Sequence, residues 1–468
     1  MTIADDALAG LLALSGRDGA GAATILSGAP AVATRFAADE AAAAALAAGG
    51  TVAADIWTLR TGQTQGVTVS TREAAAGLSG YAFQRFEDPE RQPTMHRGVA
   101  HEILGFTPTR DERWVFLHPS FPPSQAKLMA LLGNPEDRAA VIAAAANWNA
   151  QDLEDAIAEA GICGAVVRSA EEWDASEQGR ILAGLPVVEV IKIADSPAEP
   201  FKPAPAAPLS GVRVMDLTRV LAGPTCARTL AQYGADVLYV TAPGLPSAPL
   251  FVSDTNHGKL STFLDLETAD GCAALRRLLL SADVFSQGYR VGALERRGFG
   301  LMDLARLRPG LIYVSINAYG HEGPWRGRPG WEQLAQTVTG MAEVQGGADS
   351  PALLPAAVND YTTGFLAAFG ALVALKRRAL YGGSYLVRVS LSQTAMWIRG
   401  LGVAGPERLD AAQAFQPDET AEFVMRSQTG YGPMSHLRPA VRMSATPTAW
   451  VRPTMPLGSH LPIWPEAA

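Results

Sequence analysis

Cysteine is scarce in this chain. Three are present in 468 residues, Cys163, Cys226 and Cys272, and no two form a C-x-x-C pair. That spacing indicates neither a zinc site nor a disulfide framework, so no metal is expected and a reducing compartment fits. Basic excess is lacking too: 38 Lys plus Arg stand against 46 Asp plus Glu, a net charge of −8. Without basic runs, nucleic acid and anionic membrane surfaces are poor partners. No run of 18 or more apolar residues reads as a membrane span. The opening MTIADDALAGLL carries two acids where a secretory signal would carry positive charge, so a cytoplasmic location is the expectation.

What is present is apolar material in regular alternation. Hydrophobic residues make up 48% of the chain, and two or three domains are expected at this length. The proline-rich stretch DSPAEPFKPAPAAPLSG (195–211) reads as an extended linker. After it, strands at 212–217, 235–240, 261–266 and 311–320 alternate with helices such as 268–280. This pattern predicts an α/β fold built on a Rossmann-like parallel sheet. Before the linker, RWVFLHP (113–119), an amphipathic stretch at 137–161 and ICGAVVRS (162–169) predict a second, smaller α/β domain. The expected division is 1–79, 80–200, a linker at 201–210, 211–400 for the Rossmann-like part, and 401–468.

The first of these segments echoes a later one. Residues 41–75 align without gaps with 361–395, placing Gly50 on Gly370 and Val69-Ser70 on Val389-Ser390. The shared strand ending marks 1–79 as a partial repeat of a large-domain helix and strand. In this register Glu40 stands opposite Asp360.

Asp360 is the second residue of the stretch NDYTTGFLAAFGALVAL (359–375), which carries no further charge. A carboxylate at a helix mouth can cap free backbone N–H groups and is favoured by the helix dipole. The same placement suits a reactive carboxylate held ionised beside backbone donors.

Five sequence blocks choose between these readings. LSGVRVMDLTRVLAGPTCARTLAQYGADVLYV (209–240), NHGKLSTFLDL (256–266), ADVFSQGYRVGALERRGFG (282–300), LIYVSINAYGHEGPWRGRPGWEQLAQTVTGM (311–341) and the segment reaching Asp360 resemble, in order and spacing, the family III CoA-transferases. The resemblance implies a transfer of CoA between an acyl-CoA thioester and a free carboxylic acid, with CoA itself a substrate, no metal, and an interlocked homodimer. It implies that Asp360 is the nucleophile that carries a covalent aspartyl intermediate, with Glu332 an orienting or substrate-contacting group. It implies CoA contacts from Val220, Leu221 and Ala222 in the first strand–helix turn, Leu264 and Asp265 at the adenine, and Tyr289, Arg290, Ala293 and Arg296 at the pantetheine and phosphates. A guanidinium suits a phosphate, so Arg296 stands out among them. The end of the chain (401–468) resembles the family's return segment.

Two departures bear on activity. The second strand ends in YVTAPG (239–244), without the family's Lys-x-Glu, and a small-domain segment precedes the Rossmann part instead of following it. A non-catalytic CoA-binding member is therefore one alternative. An α-methylacyl-CoA racemase is another, but where those enzymes place a second base this chain has Trp331, and an indole cannot take a proton. A nicotinamide dehydrogenase is excluded by the absence of G-x-G-x-x-G and by Thr241 where an acidic ribose partner belongs.

Overall fold

The computed structural model describes residues 2–17, 23–94, 100–203 and 205–465. Short Val/Leu/Ile-rich segments that carry few polar side chains need cover on both faces, and seven of them share one sheet. In chain order these are β1 (Glu189–Ala194), β2 (Arg213–Leu217), β3 (Asp236–Thr241), β4 (Lys259–Phe263), β5 (Val284–Gln287), β6 (Ile312–Asn317) and β7 (Ser384–Ser390). Their spatial order is β4-β3-β2-β5-β6-β7-β1. All neighbours are parallel except β1, which runs antiparallel to β7 along the edge. The order reverses between β2 and β5. In an open α/β sheet that switch point leaves a crevice beyond the carboxyl ends of the two strands, where ligands bind.

The expected range 80–200 therefore divides. Strands Gly105–Pro108, Trp114–His118 and Cys163–Val166 form a separate antiparallel sheet. It has its own core, with Val115, Leu117, Leu128, Val141, Leu153 and Ile157 packed together. Glu189–Ala194 leaves this unit and joins the large sheet, because its main chain completes the ladder of β7. In the closing segment, Val441–Met443 pairs antiparallel with Val67–Val69 of the N-terminal repeat, and Gly432–Leu437 pairs antiparallel with Arg85–Phe86 just beyond it.

Two long helices fill the centre. The N-terminal one spans Ala38–Thr61 and the central one Val358–Tyr381, both 24 residues. A shift of 320 residues superposes their bounds, and it carries the end of strand Val67–Ser70 onto the end of β7. A Cβ on Gly50 would come within 2.7 Å of Val67, and one on Gly370 within 2.6 Å of Val387, the equivalent valine. The echo seen in sequence is thus a repeat of packing. Both helices are long and apolar enough by composition to cross a bilayer, a test that core helices also pass, and every residue from Val358 to Leu375 is buried inside the protein.

Candidate active site

The helix Val358–Tyr381 begins at Ala357, which has no side chain to cap it. Its first N–H groups would be orphaned in a buried setting. Glu332, at the start of a short helix (Glu332–Val338), supplies the missing acceptors. Its Oε1 accepts the N–H of Asn359 at 3.0 Å and the amide of Gln336 at 2.7 Å, and its Oε2 accepts the N–H of Asp360 at 2.5 Å. Asp360 is therefore not the cap. It is the third helical residue, and no hydrogen bond to its carboxylate is formed among the described residues.

Electrostatics follow from this placement. Asp360 is 8% exposed and Glu332 4%. Burial, and then the Glu332 charge, hold the Asp360 carboxyl well above the usual carboxylate range. Burial raises Glu332 to about 7, against the opposing pull of its hydrogen bonds to Gln336, Asn359 and Asp360. Desolvation thus opposes the helix dipole at Asp360. Because the Glu332 charge acts on Asp360, the two carboxyls titrate as a pair. Glu332, solvated by three N–H donors, is the better seat for the single negative charge, and Asp360 for the proton.

Neighbouring charges are already paired. Tyr361 donates to Asp254 Oδ2 at 2.7 Å, and Arg228 Nη1 donates to Asp254 Oδ1 at 2.7 Å. Beneath the crevice, the fully buried Lys259 donates to Asp216 Oδ2 at 2.8 Å and to the Pro224 carbonyl at 2.7 Å. Asp216 Oδ1 also accepts from the backbone and hydroxyl of Thr218. This network pins the turn between β2 and the helix Ala222–Ala231. Within the turn Val220 has φ +70°, a costly conformation for a β-branched residue and one that collects at functional sites.

The residues implied for CoA fall into two groups. Val220, Leu221 and Ala222 follow β2, while Tyr289, Arg290, Ala293 and Arg296 follow β5, so these seven flank the switch point. Arg296 is exposed, and Arg290 is tied by Nη2 to the carbonyl of Gly161. Leu264 and Asp265 follow β4, two strands out from β2. Leu264 is buried in the core of that side with Leu238 and Leu275, and Asp265 is exposed, its Oδ1 accepting the N–H of Glu267. Sequence reasoning passed over Arg219. Its guanidinium lies 4.8 Å over the ring of Phe121, beside Tyr289 at the crevice. Its position one residue before Val220 was the available signal.

The second helix mouth is built differently. Asp39 accepts the N–H groups of Ala31 at 2.5 Å and Val32 at 3.4 Å. Glu40, the counterpart of Asp360, is held by both terminal nitrogens of Arg408 at 3.1 and 2.7 Å.

Comparison with known proteins bears on this arrangement. The family model for CoA-transferase family III matches residues 3–197 and 209–405. An acetyl-coenzyme A transferase of Hypoxylon pulicicidum is 39% identical over 256 residues, which cover 51% of this chain and 43% of that protein. A formyl-CoA:oxalate CoA-transferase of Afipia carboxidovorans is 33% identical over 214 residues, covering 43% of this chain and 50% of that one. Among solved structures, a CAIB/BAIF family protein from Brucella suis is 27% identical with a TM-score of 0.39, over 48% of this chain and 65% of that chain. The chain spans about half the length of the curated relatives it matches.

Proposed function

The chain belongs to CoA-transferase family III, and on that premise we propose that it moves CoA between an acyl-CoA thioester and a free carboxylic acid through a covalent intermediate on Asp360. The observation that carries this reading is a buried carboxylate with no hydrogen-bond partner among the described residues, beside a second carboxylate that does the capping. A residue kept only to start a helix would be spent on backbone N–H groups.

Asp360 must be ionised to react, and Glu332 is placed to share its proton. An Asp360 oxygen attacks the thioester carbonyl, and the C–S bond breaks to give a mixed anhydride and CoA thiolate. The thiolate attacks the Asp360 carbonyl carbon, releasing the donor as a free carboxylate and leaving an aspartyl-CoA thioester. The acceptor carboxylate attacks that thioester in turn, giving a second anhydride and thiolate. Attack of the thiolate on the acceptor carbonyl forms the new acyl-CoA and returns Asp360 as a carboxylate. Charge is conserved at each step, and the CoA that leaves the donor ends on the acceptor.

CoA itself is assigned to the crevice at the switch point, between the strained turn at Val220 and the segment from Tyr289 to Arg296. The racemase alternative finds no support at Trp331, whose indole N–H is donated to Ser120. An acyl-CoA and a small carboxylic acid are thus the partners of this reading. Its further parts, a homodimer and a cytosolic location, rest on the family resemblance and on composition. Light scattering on the purified protein tests the first of these.

The decisive variant is Asp360→Asn, which leaves the Glu332 cap in place. Its melting curve should match or exceed the wild type. Transfer from a labelled acyl-CoA to a free acid should be lost. Transfer at the wild-type rate in the folded variant would remove Asp360 from the chemistry.

A further inference from the structure

Glu332 holds the helix that presents Asp360, and the residue before it reaches into the smaller sheet. Trp331 is the N-cap residue of the helix Glu332–Val338 and makes no side-chain cap there. Its indole Nε1 instead donates to Ser120 Oγ at 2.7 Å. Ser120 lies just past the strand Trp114–His118 and has φ +58°, a left-handed conformation. Its backbone N–H donates to His118 Nδ1 at 3.0 Å. Burial drops the His118 imidazole to about 4, so the ring is neutral and its Nδ1 is free to accept. The ring of Trp331 is held on two further sides, by His118 at 5.9 Å and edge-on by Phe121 at 5.8 Å.

We propose that Ser120 and Trp331 are positioning residues that fix Glu332, and through it Asp360, from the smaller sheet. The path is continuous: His118 orients the Ser120 turn, Ser120 Oγ fixes the Trp331 indole, and Trp331 sets where Glu332 begins its helix. Glu332 then reaches the N–H groups of Asn359 and Asp360. The corner His118–Phe121 also touches Arg219 in the CoA turn through Phe121. One corner of the smaller unit therefore contacts both the turn before Val220 and the segment that begins at Trp331. A serine in a left-handed conformation is costly, and strain of this kind persists where surrounding contacts over-determine it.

This inference deepens the transfer reading and rests on it for its kinetic consequences, so the test has an arm that does not need turnover. Ser120→Gly removes the hydroxyl at a backbone conformation that suits glycine, and Trp331→Phe removes the indole N–H while keeping an aromatic ring. Infrared titration of the buried carboxyls should show the Glu332 and Asp360 pair titrating at higher pH in each variant, because a displaced Glu332 loses N–H donors. In transfer assays kcat should fall about tenfold in each, KM for the acyl-CoA staying within about twofold. The double variant should be no worse than either single one, as groups acting through one hydrogen bond are not additive. Unmoved carboxyl titration in folded Ser120→Gly overturns the proposal, whatever the activity. Wild-type protein that transfers nothing overturns the functional reading instead.

Discussion

The mouths of the two long helices differ in one respect that matters. Both helices start after an alanine in nearly the same conformation, φ −76° and ψ 54° at Ala37 and φ −82° and ψ 62° at Ala357. Both place a carboxylate at the third helical position. At Glu40 that carboxylate is neutralised by Arg408, a residue of the chain's closing segment. At Asp360 no cation is hydrogen-bonded to it among the described residues, and the nearest charge is another carboxylate. The repeat copied the scaffold, and the partner of the carboxylate decides what the copy can do. An ion-paired carboxylate is a structural tie. A buried one with no hydrogen-bonded cation among the described residues is free-energy expensive, and such groups cluster where chemistry is done.

The comparison is easiest to break through activity. Asp360→Asn should lower kcat for transfer by at least about a thousandfold, the scale seen when a covalent nucleophile is removed. Glu40→Gln should leave transfer within about twofold. Equal losses from the two would make both mouths catalytic.

Binding gives the next largest effect. Arg296 is exposed and free to meet a phosphate, so Arg296→Ala should weaken CoA binding by about 1.5–3 kcal/mol in calorimetry. Affinity unchanged from wild type would move the phosphates elsewhere in the crevice.

Arg408→Ala should cost about 2 kcal/mol in denaturant unfolding, since the pair is largely buried and the change leaves Glu40 without its partner. It should leave transfer intact. Gain of a second reactive carboxylate in this variant would show that the ion pair alone silences Glu40.

The smallest effect is a pH dependence of stability. The folded-state values of Asp360 and Glu332 are raised above those of unfolded carboxyls, so the stability tied to their protonated forms is fully present below about pH 4. It is lost as pH rises through the folded values, about 7 for Glu332. Asp360→Asn removes the repulsion in the pair. Its Tm should therefore exceed that of the wild type by an amount that grows between pH 5 and pH 8. A constant difference across that range would mean that folding does not raise the Asp360 carboxyl.

How much of this could be read in the sequence depends on the range of the contact. The strands of the large sheet and the helix–strand repeat are local patterns of apolar residues, and they stand within a few residues of where periodicity places them. The antiparallel edge strand Glu189–Ala194 is not local: it is chosen by the free ladder of β7, nearly 200 residues on. Asp360 was identifiable from its helix and from the five matching blocks. Its chemical state was not, because the residue that caps the helix lies 28 positions earlier, and the sequence pattern offered Asp360 itself for that task. The ion pair of Glu40 spans 368 positions, so nothing near Glu40 announces that its charge is compensated. In the same way Leu264 sits in a block matching the family, yet the fold buries it in a core.

Which carboxylate becomes acylated separates the two helix mouths most directly. Incubation of the protein with a short acyl-CoA, followed by rapid quenching and peptide mass mapping, reads this directly. The adduct, as CoA thioester or acyl anhydride, should appear on the peptide that contains Asp360 and be absent from the one that contains Glu40. An adduct on Glu40, or none on Asp360 while transfer proceeds, would contradict it.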